Sequence, residues 1–381
     1  EKDLTIEYLG KAANYARANF QNQQALELYE RLIDKFSNRP EEEVTVNTHI
    51  NRGKVLEIVG RWGEAQAAYE QAQAIAKASR DILLLGRTNN HLGRLLTFQG
   101  KYDEAMENLR VAASLFESVD DIFGIAKAYS NMGNLYFRTA HYHDALTYYD
   151  KSLDYGFGRT GTTSAAETVA HLGLTHMNLG NYPEAIKVVK EQIPLHEDNQ
   201  DSMGLANLHT NLGIIYFESG NYKKATEHHY AGLELAKELG NKRLQAIGLG
   251  SLGSVFEREG KFEEAADLFM RDLEICQEMG DRQGIAVTEG LIGDINSVMG
   301  NFTIAIQHLD RSLRISRELG YRKGVAKAVN TLGDIYFLQG QHDISLMYYD
   351  QAIEIARTTN NRLVLCSSLE EKGRVLLADG Q

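Results

Sequence analysis

Apolar positions recur along this chain with the period of a helix. Around residue 213, Leu212, Gly213 and Tyr216 form one apolar stripe, and Tyr222, Ala225, His229 and Leu233 continue it at spacings of three and four. The pattern predicts about 14 residues of a first helix (helix A), a tight turn, about 16 residues of a second (helix B), then a connector. No stretch of useful length alternates with period two, so no sheet is expected.

The pattern repeats in a fixed register. Gly53, Gly93, Gly133, Gly173, Gly213, Gly253, Gly293, Gly333 and Gly373 are spaced by 40 residues without insertion or deletion. A second glycine follows seven residues later at Gly60, Gly100, Gly180, Gly220, Gly260, Gly300, Gly340 and Gly380, with Ala140 the exception. An aromatic follows at Trp62, Tyr102, Tyr142, Tyr182, Tyr222, Phe262 and Phe302, with His342 the exception. Then comes an alanine at 65, 105, 145, 185, 225, 265 and 305, with Ser345 last. A glycine inside a helix costs about 1 kcal/mol against alanine, so the first glycine predicts close approach of another helix. The second predicts a left-handed helix end. The aromatic plugs the turn, and the alanine is a second point of close contact. Connectors such as Leu239-Gly-Asn-Lys, Met279-Gly-Asp-Arg and Leu319-Gly-Tyr-Arg read as a glycine stop with basic residues by the C-terminus of helix B. A period of this size predicts a solenoid, which offers a long surface rather than a catalytic pocket.

The segments "NLGIIYFESGNYKKATEHH" and "NMGNLYFRTAHYHDALTYY" resemble tetratricopeptide repeats in a 40-residue form, and the resemblance spans essentially the whole chain. It implies an all-α, right-handed superhelical solenoid of antiparallel helix pairs, with helix A lining a concave groove. It also implies peptide or protein binding without chemistry. On this reading residues 1–381 are a single solenoid. Residues 1–40 hold a degenerate first helix pair, with Ala13 and Ala25 in the register of the repeat glycine and alanine. Eight full repeats cover about 46–365, and 366–381 are an unpaired helix A. A fragment of a longer protein is favoured over a natural terminus capped by Glu370, Glu371 and Lys372. The opening stretch "IEYLGKAANYARANFQNQQALELYERLIDKF" is similar to the entry into the repeat region of multidomain AAA-like or STAND-type ATPase and cyclase-type signalling proteins.

Composition narrows the partners. The formal charge of −12, from 52 acidic and 40 basic residues, argues against a nucleic-acid partner. No apolar run reaches transmembrane length and no signal-peptide pattern opens the chain, so no membrane association is expected. Cys276 and Cys366 fall in different repeats and suggest no disulfide framework, which fits a cytoplasmic location.

Several motifs that suggest chemistry lack the context for it. Gly248-Leu-Gly-Ser-Leu-Gly253 and Gly156-Phe-Gly-Arg-Thr-Gly161 match a dinucleotide fingerprint but follow no strand. No phosphate-loop motif is present. His141, His143, His228 and His229 lack the clustered partners of a metal site, and His229 is expected in the core. No catalytic residue, cofactor or metal is expected. Gly156 to Thr163 reads as the loosest connector, a local break in preference to a hinge or contact loop.

Helical spacing sets the groove. Relative to each repeat glycine, its positions are six and three before, and one, four and five after. The early repeats contribute Lys54, Arg87, Asn90, Arg94, Phe98, Lys127, Asn134, Phe137 and Arg138. The middle contributes Leu174, Met177, Asn178, Asn207, Ile214 and Phe217; the later repeats contribute Glu257, Arg258, Asp294, Asn330, Asp334, Phe337 and Leu338. An acidic protein thus carries a basic first stretch, in which Arg94 and Arg138 are expected to point away from the helix contacts. Asparagines suit backbone groups of a bound segment, arginines and lysines its carboxylates or phosphates, and Phe and Leu its apolar anchors. The ordered lysines and asparagines of the carboxylate clamp found in some family members are not reproduced. The expected function is a non-enzymatic scaffold in a larger signalling protein, binding a protein or peptide that is acidic or phosphorylated. The alternative is an intramolecular array regulating an attached ATPase, cyclase or kinase domain. Self-association through the open C-terminal helix is a further expectation.

Overall fold

The computed structural model describes residues 2–36, 42–155, 163–358 and 362–378, and all regular structure within them is helical. The Gly156–Gly161 motif, nearly all of the Gly156–Thr163 connector and Gly380 lie outside the described residues. Contacts divide the chain into two units, Glu1–Gly248 and Leu249–Gln381.

The first unit is built from α1 (Lys2–Ala18), α2 (Asn22–Phe36), α3 (Glu42–Ile58), α4 (Trp62–Ser79), α5 (Ile82–Gln99), α6 (Tyr102–Glu117), α7 (Ile122–Arg138) and α8 (Tyr142–Asp154). It continues with α9 (Thr163–Asn178), α10 (Tyr182–Lys190), α11 (Ile193–Asp198), α12 (Ser202–Glu218) and α13 (Tyr222–Glu238). The division falls inside α14 (Lys242–Arg258). The second unit continues with α15 (Phe262–Met279), α16 (Arg282–Val298), α17 (Phe302–Glu318), α18 (Arg322–Leu338), α19 (His342–Thr358) and α20 (Arg362–Ala378). Consecutive helices pack as pairs, α3 on α4, α5 on α6, α12 on α13, α16 on α17 and α18 on α19. The Gly248–Gly253 motif lies wholly within α14, where no dinucleotide site can form.

The repeated residues take the positions their chemistry suggests. A Cβ on Gly53 would stand 2.5 Å from Tyr69, on Gly93 2.7 Å from Leu109, and on Gly293 2.6 Å from Leu309. Each of these partners sits 16 residues on, in helix B, and is fully buried. Burying such a side chain contributes about 1.5–3 kcal/mol, which outweighs the glycine's cost in the helix. Ala65, Ala105, Ala145, Ala185, Ala225, Ala265 and Ala305 are also fully buried. Ser345, in the same register, satisfies its hydroxyl by donating to the carbonyl of Gly333 at 2.9 Å. The helix-ending glycines have φ between 72° (Gly340) and 79° (Gly220, Gly300), and Ala140 is forced to +61° in their place.

Two features of the helix ends differ from the sequence-based expectation. Lys242, Arg282 and Arg322 are not last-turn cations of the preceding helix; they open α14, α16 and α18. For Lys242 and Arg282 the cause is the residue before them. Asn241 and Asp281 cap the new helix by accepting the backbone N–H of Leu244 at 3.1 Å and of Gly284 at 2.9 Å. Asp81, Asp121 and Asp201 do the same for Leu84, Gly124 and Gly204. Arg282 instead pairs with Glu318, at the far end of the next helix B. Second, the helix B following Gly173 is broken. Pro194 has no N–H, and its ring clashes with the carbonyl four residues back, so α10 stops at Lys190 and α11 starts afresh at Ile193.

Candidate functional site

Within the first unit, the first helices of successive pairs touch in series: α1 with α3, α3 with α5, α5 with α7, and α7 with α9. Their close spacing makes this layer the crowded, inner side of the unit. The predicted groove residues sit on it. Lys54, Arg94, Lys127, Asn134, Phe137, Met177, Asn207, Ile214 and Phe217 are half-buried, Arg87, Arg138 and Asn178 are exposed, and Asn90 is buried.

The structure brings the basic residues of α3, α5 and α7 together, and also supplies counter-charges. Arg94 lays Nη2 against both carboxylate oxygens of Glu57, each at 2.8 Å. The hydroxyl of Tyr69 donates to the same carboxylate. Arg94 is therefore tied between α3 and α5, and does not point away from the helix contacts as its spacing suggests. Lys127 pairs with Glu167 at 3.0 Å. Among the described residues Lys54 has no such partner. Its ammonium is pushed below its ordinary pKa by burial first, then by the fields of Arg17 and Arg94, with Glu57 opposing and Lys127 adding to the effect. At the centre, His91 stacks on Tyr69 with ring centroids 5.7 Å apart. Burial, and then the charges of Lys54, Arg94, Lys127 and Arg87, hold its imidazole neutral.

An aromatic shelf adjoins this cluster. Phe98 is 43% exposed. The guanidinium of Arg138 lies 4.8 Å from its ring centroid and that of Arg94 5.7 Å. Trp62 flanks it at 6.5 Å. Such cation–π contacts contribute about 0.5–1 kcal/mol where exposed.

The amides are partly committed to the fold. Asn90 accepts from Asn131 at 2.8 Å across neighbouring repeats, and Asn134 accepts from the Tyr149 hydroxyl at 2.7 Å. Asn178 donates to the Leu174 carbonyl, and the carbonyl of Asn207 accepts from Asn211. Phe137 and Phe217 pack on the turn aromatics Tyr142 and Tyr222 at 5.8 and 5.7 Å. Met177, Asn178, Asn207, Ile214 and Phe217 lie on α9 and α12.

The second unit carries the opposite sign on the same register. Asp294 takes Lys327 at 2.7 Å and the Thr331 hydroxyl at 2.8 Å. Asp334 accepts from the Tyr349 hydroxyl at 2.7 Å, and burial pushes its carboxyl up to about 6.

Glu57, Glu167, Arg17 and His91 are site residues that the sequence reading passed over. Two of them left a signal. Glu57 and Arg94 are 37 residues apart, and so are Asp294 and Thr331; Lys127 and Glu167 are 40 apart. Polar partners 37 or 40 residues apart on the first helices of adjacent repeats are therefore legible as contacts once the register is known. Among the described residues no group of three His, Cys, Asp or Glu side chains could hold a metal ion, and no helix is long and apolar enough to cross a membrane. The cluster presents Lys54, Arg87, Arg94 and Lys127 around the neutral His91 imidazole.

Helix pairs that recur every 40 residues, with their first helices touching in series through the first unit, define a repeat-built helical solenoid. The family model of the tetratricopeptide repeat matches residues 84–155, 164–238, 204–278 and 284–381, and the chain belongs to this family. The model of anaphase-promoting complex subunit 5 matches residues 8–102. No curated protein matches the chain. Among solved structures, a Rap protein complexed with competence and sporulation factor is similar at 12% identity and TM-score 0.60, covering 95% of this chain and 99% of that one. The apo quorum sensor NprR from B. thuringiensis is similar at 16% identity and TM-score 0.56, covering 93% and 99%. A STAND protein with a tetratricopeptide repeat sensor from Pyrococcus horikoshii is similar at 15% identity and TM-score 0.54, covering 92% of this chain and 54% of that one. At these identities the likeness is one of fold.

Proposed function

We propose that the chain is a non-enzymatic scaffold that binds a segment of a protein or peptide on its layer of first helices. The observation that carries this reading is a half-buried cationic surface on the inner face of the first unit, next to an exposed aromatic shelf. Converging like charges repel unless a ligand offsets them. Membership of the tetratricopeptide repeat family supports the reading, as does the fold likeness to a Rap protein complexed with competence and sporulation factor. The partner is acidic or phosphorylated, and the array acts as one solenoid over 1–381 in the cytoplasm.

The test is a peptide-array screen at low salt with wild type and with Arg87 and Arg138 both reversed to Glu. These two are chosen because Arg94 is fixed to Glu57, so reversing it would set two carboxylates against each other. The double reversal should lose most binding, and wild-type binding should weaken with added salt, since screening acts on exposed charges. Equal binding by both proteins, indifferent to salt, would move the contact to Met177, Ile214 and Phe217.

A second reading has one observation in its favour. The chain covers 54% of the Pyrococcus horikoshii STAND protein, described as having a tetratricopeptide repeat sensor. On that reading the array regulates an ATPase, cyclase or kinase domain in the same polypeptide. The open reading frame on both sides of this segment tests it: no such domain there sinks it. Self-association through α20 is supported by Leu377, 77% exposed, and by the open space beside Gly373. Sedimentation equilibrium should show an oligomer that Leu377→Glu disperses.

A further inference from the structure

The cations of the first unit come from successive first helices: Arg17 on α1, Lys54 on α3, Arg87 and Arg94 on α5, Lys127 on α7. Their counter-charges are unevenly shared. Glu57 is already held by Arg94 and Tyr69. Glu167 is held by Lys127. Among the described residues, Arg17 leaves its Nε–H buried without an acceptor, and Lys54 forms no ion pair while facing Arg17, Arg94 and Lys127. The surplus therefore resides on Arg17, Lys54 and Arg87, of which Arg87 is exposed and Arg17 and Lys54 are half-buried. A carboxylate would offset one charge. A phosphoryl group carries about −1.5 to −2 and presents three strong acceptor oxygens, which matches the two half-buried cations at once.

We propose that Lys54 and Arg17 form a cradle for the phosphoryl group of a phosphorylated side chain within the bound segment, with Arg94 held by Glu57 as the fixed wall beside it. The proposal rests on the scaffold reading above. The remainder of the segment runs toward the Phe98 shelf, where the Arg138 guanidinium meets it. The Glu57 carboxylate bordering the cradle, and the net charge of −12, oppose a continuous phosphate backbone, so a single phosphoryl group on a peptide is the fitting ligand.

The experiment uses the 381-residue chain and degenerate peptide libraries centred on phosphoserine or phosphothreonine. Unphosphorylated libraries, libraries with Glu at the centre, and a single-stranded RNA serve as comparison probes. Inorganic phosphate serves as competitor. Wild type should retain the phosphorylated library, and millimolar-range phosphate should displace it. Lys54→Met keeps the apolar stem and removes an unanswered charge, so it should fold at least as stably as wild type by thermal melt. It should lose about tenfold in affinity for the phosphorylated library, the worth of a charge-assisted hydrogen bond, and none for the others. Arg17→Gln provides the independent second variant and should lose a similar factor. Retention of peptides regardless of phosphorylation, or unchanged binding in both variants, overturns the cradle and leaves the scaffold standing. Retention of RNA alone, or of no probe at all, overturns both.

Discussion

Phe269 lies directly beneath Gly253: a Cβ on that glycine would stand 2.5 Å from Cε1 of the ring. The same relation recurs at each full repeat, with Tyr, Leu, Val, His or Phe as the plug. At Gly373 a Cβ would meet nothing within 4 Å. The two glycines hold the same register and so provide a controlled comparison. Gly253→Ala should destabilise by about 1–3 kcal/mol through overpacking, read as a lower urea midpoint. Gly373→Ala should stabilise α20 by about 0.5–1 kcal/mol, read as slower amide exchange in that helix. Effects of the same sign would show that close approach is not what fixes these glycines.

Ala140 holds φ at +61° where its counterparts are glycines. A left-handed conformation costs an L-residue roughly 1–2 kcal/mol, partly offset by glycine's greater freedom in the unfolded chain. Ala140→Gly should therefore raise stability by about 0.5–1 kcal/mol. An unchanged or lowered melting temperature would count against a strained turn.

His229 occupies the plug position under Gly213, where neighbouring repeats use Phe269 or Leu309. Its Nδ1 is buried without a partner, and burial, then His228, push its pKa down to about 4 from 6.5. A depressed histidine stabilises the fold above the unfolded pKa, and this contribution is lost as pH falls from 6.5 through 4. His229→Leu should gain about 1 kcal/mol at neutral pH by removing an orphaned polar atom. The advantage should widen between pH 6.5 and 4, measured by urea unfolding. His49 and His228, both lowered to about 4, keep a residual acid sensitivity. Parallel pH profiles for variant and wild type would refute the assignment.

Asp272 is buried, and among the described residues it has no cationic partner. Its Oδ2 accepts from the Thr288 hydroxyl at 2.8 Å and its Oδ1 from the Cys276 thiol at 3.3 Å. Burial pushes its carboxyl up to about 6 from 3.8. The folded state thus binds the proton more tightly, and the resulting stability is full below 3.8 and lost as pH rises through 6. Asp272→Asn should be more stable than wild type at pH 8, by about 2 kcal/mol, and the gap should close on acidification to pH 4. A gap independent of pH would mean that the carboxyl is not desolvated.

The sequence by itself determined the repeat unit. A 40-residue register of glycine, glycine, aromatic and alanine gave the helix pairs, the helix-ending turns and the core placement of His229. These features are legible because each depends on local backbone freedom and on side-chain volume, which a single residue type reports. Pro194 carried its signal too, and the break between α10 and α11 follows from its missing N–H. What only the tertiary structure decided was the distribution of charge. Glu57 and Arg94 stand on different helices, and the helix spacing that lets both oxygens of one meet one nitrogen of the other is a property of the packed array. That meeting turns Arg94 from a free groove cation into a fixed strut. Helical periodicity names which face a side chain leaves from. Electrostatic pairing acts through space between neighbouring helices, so it is settled only when the helices have packed.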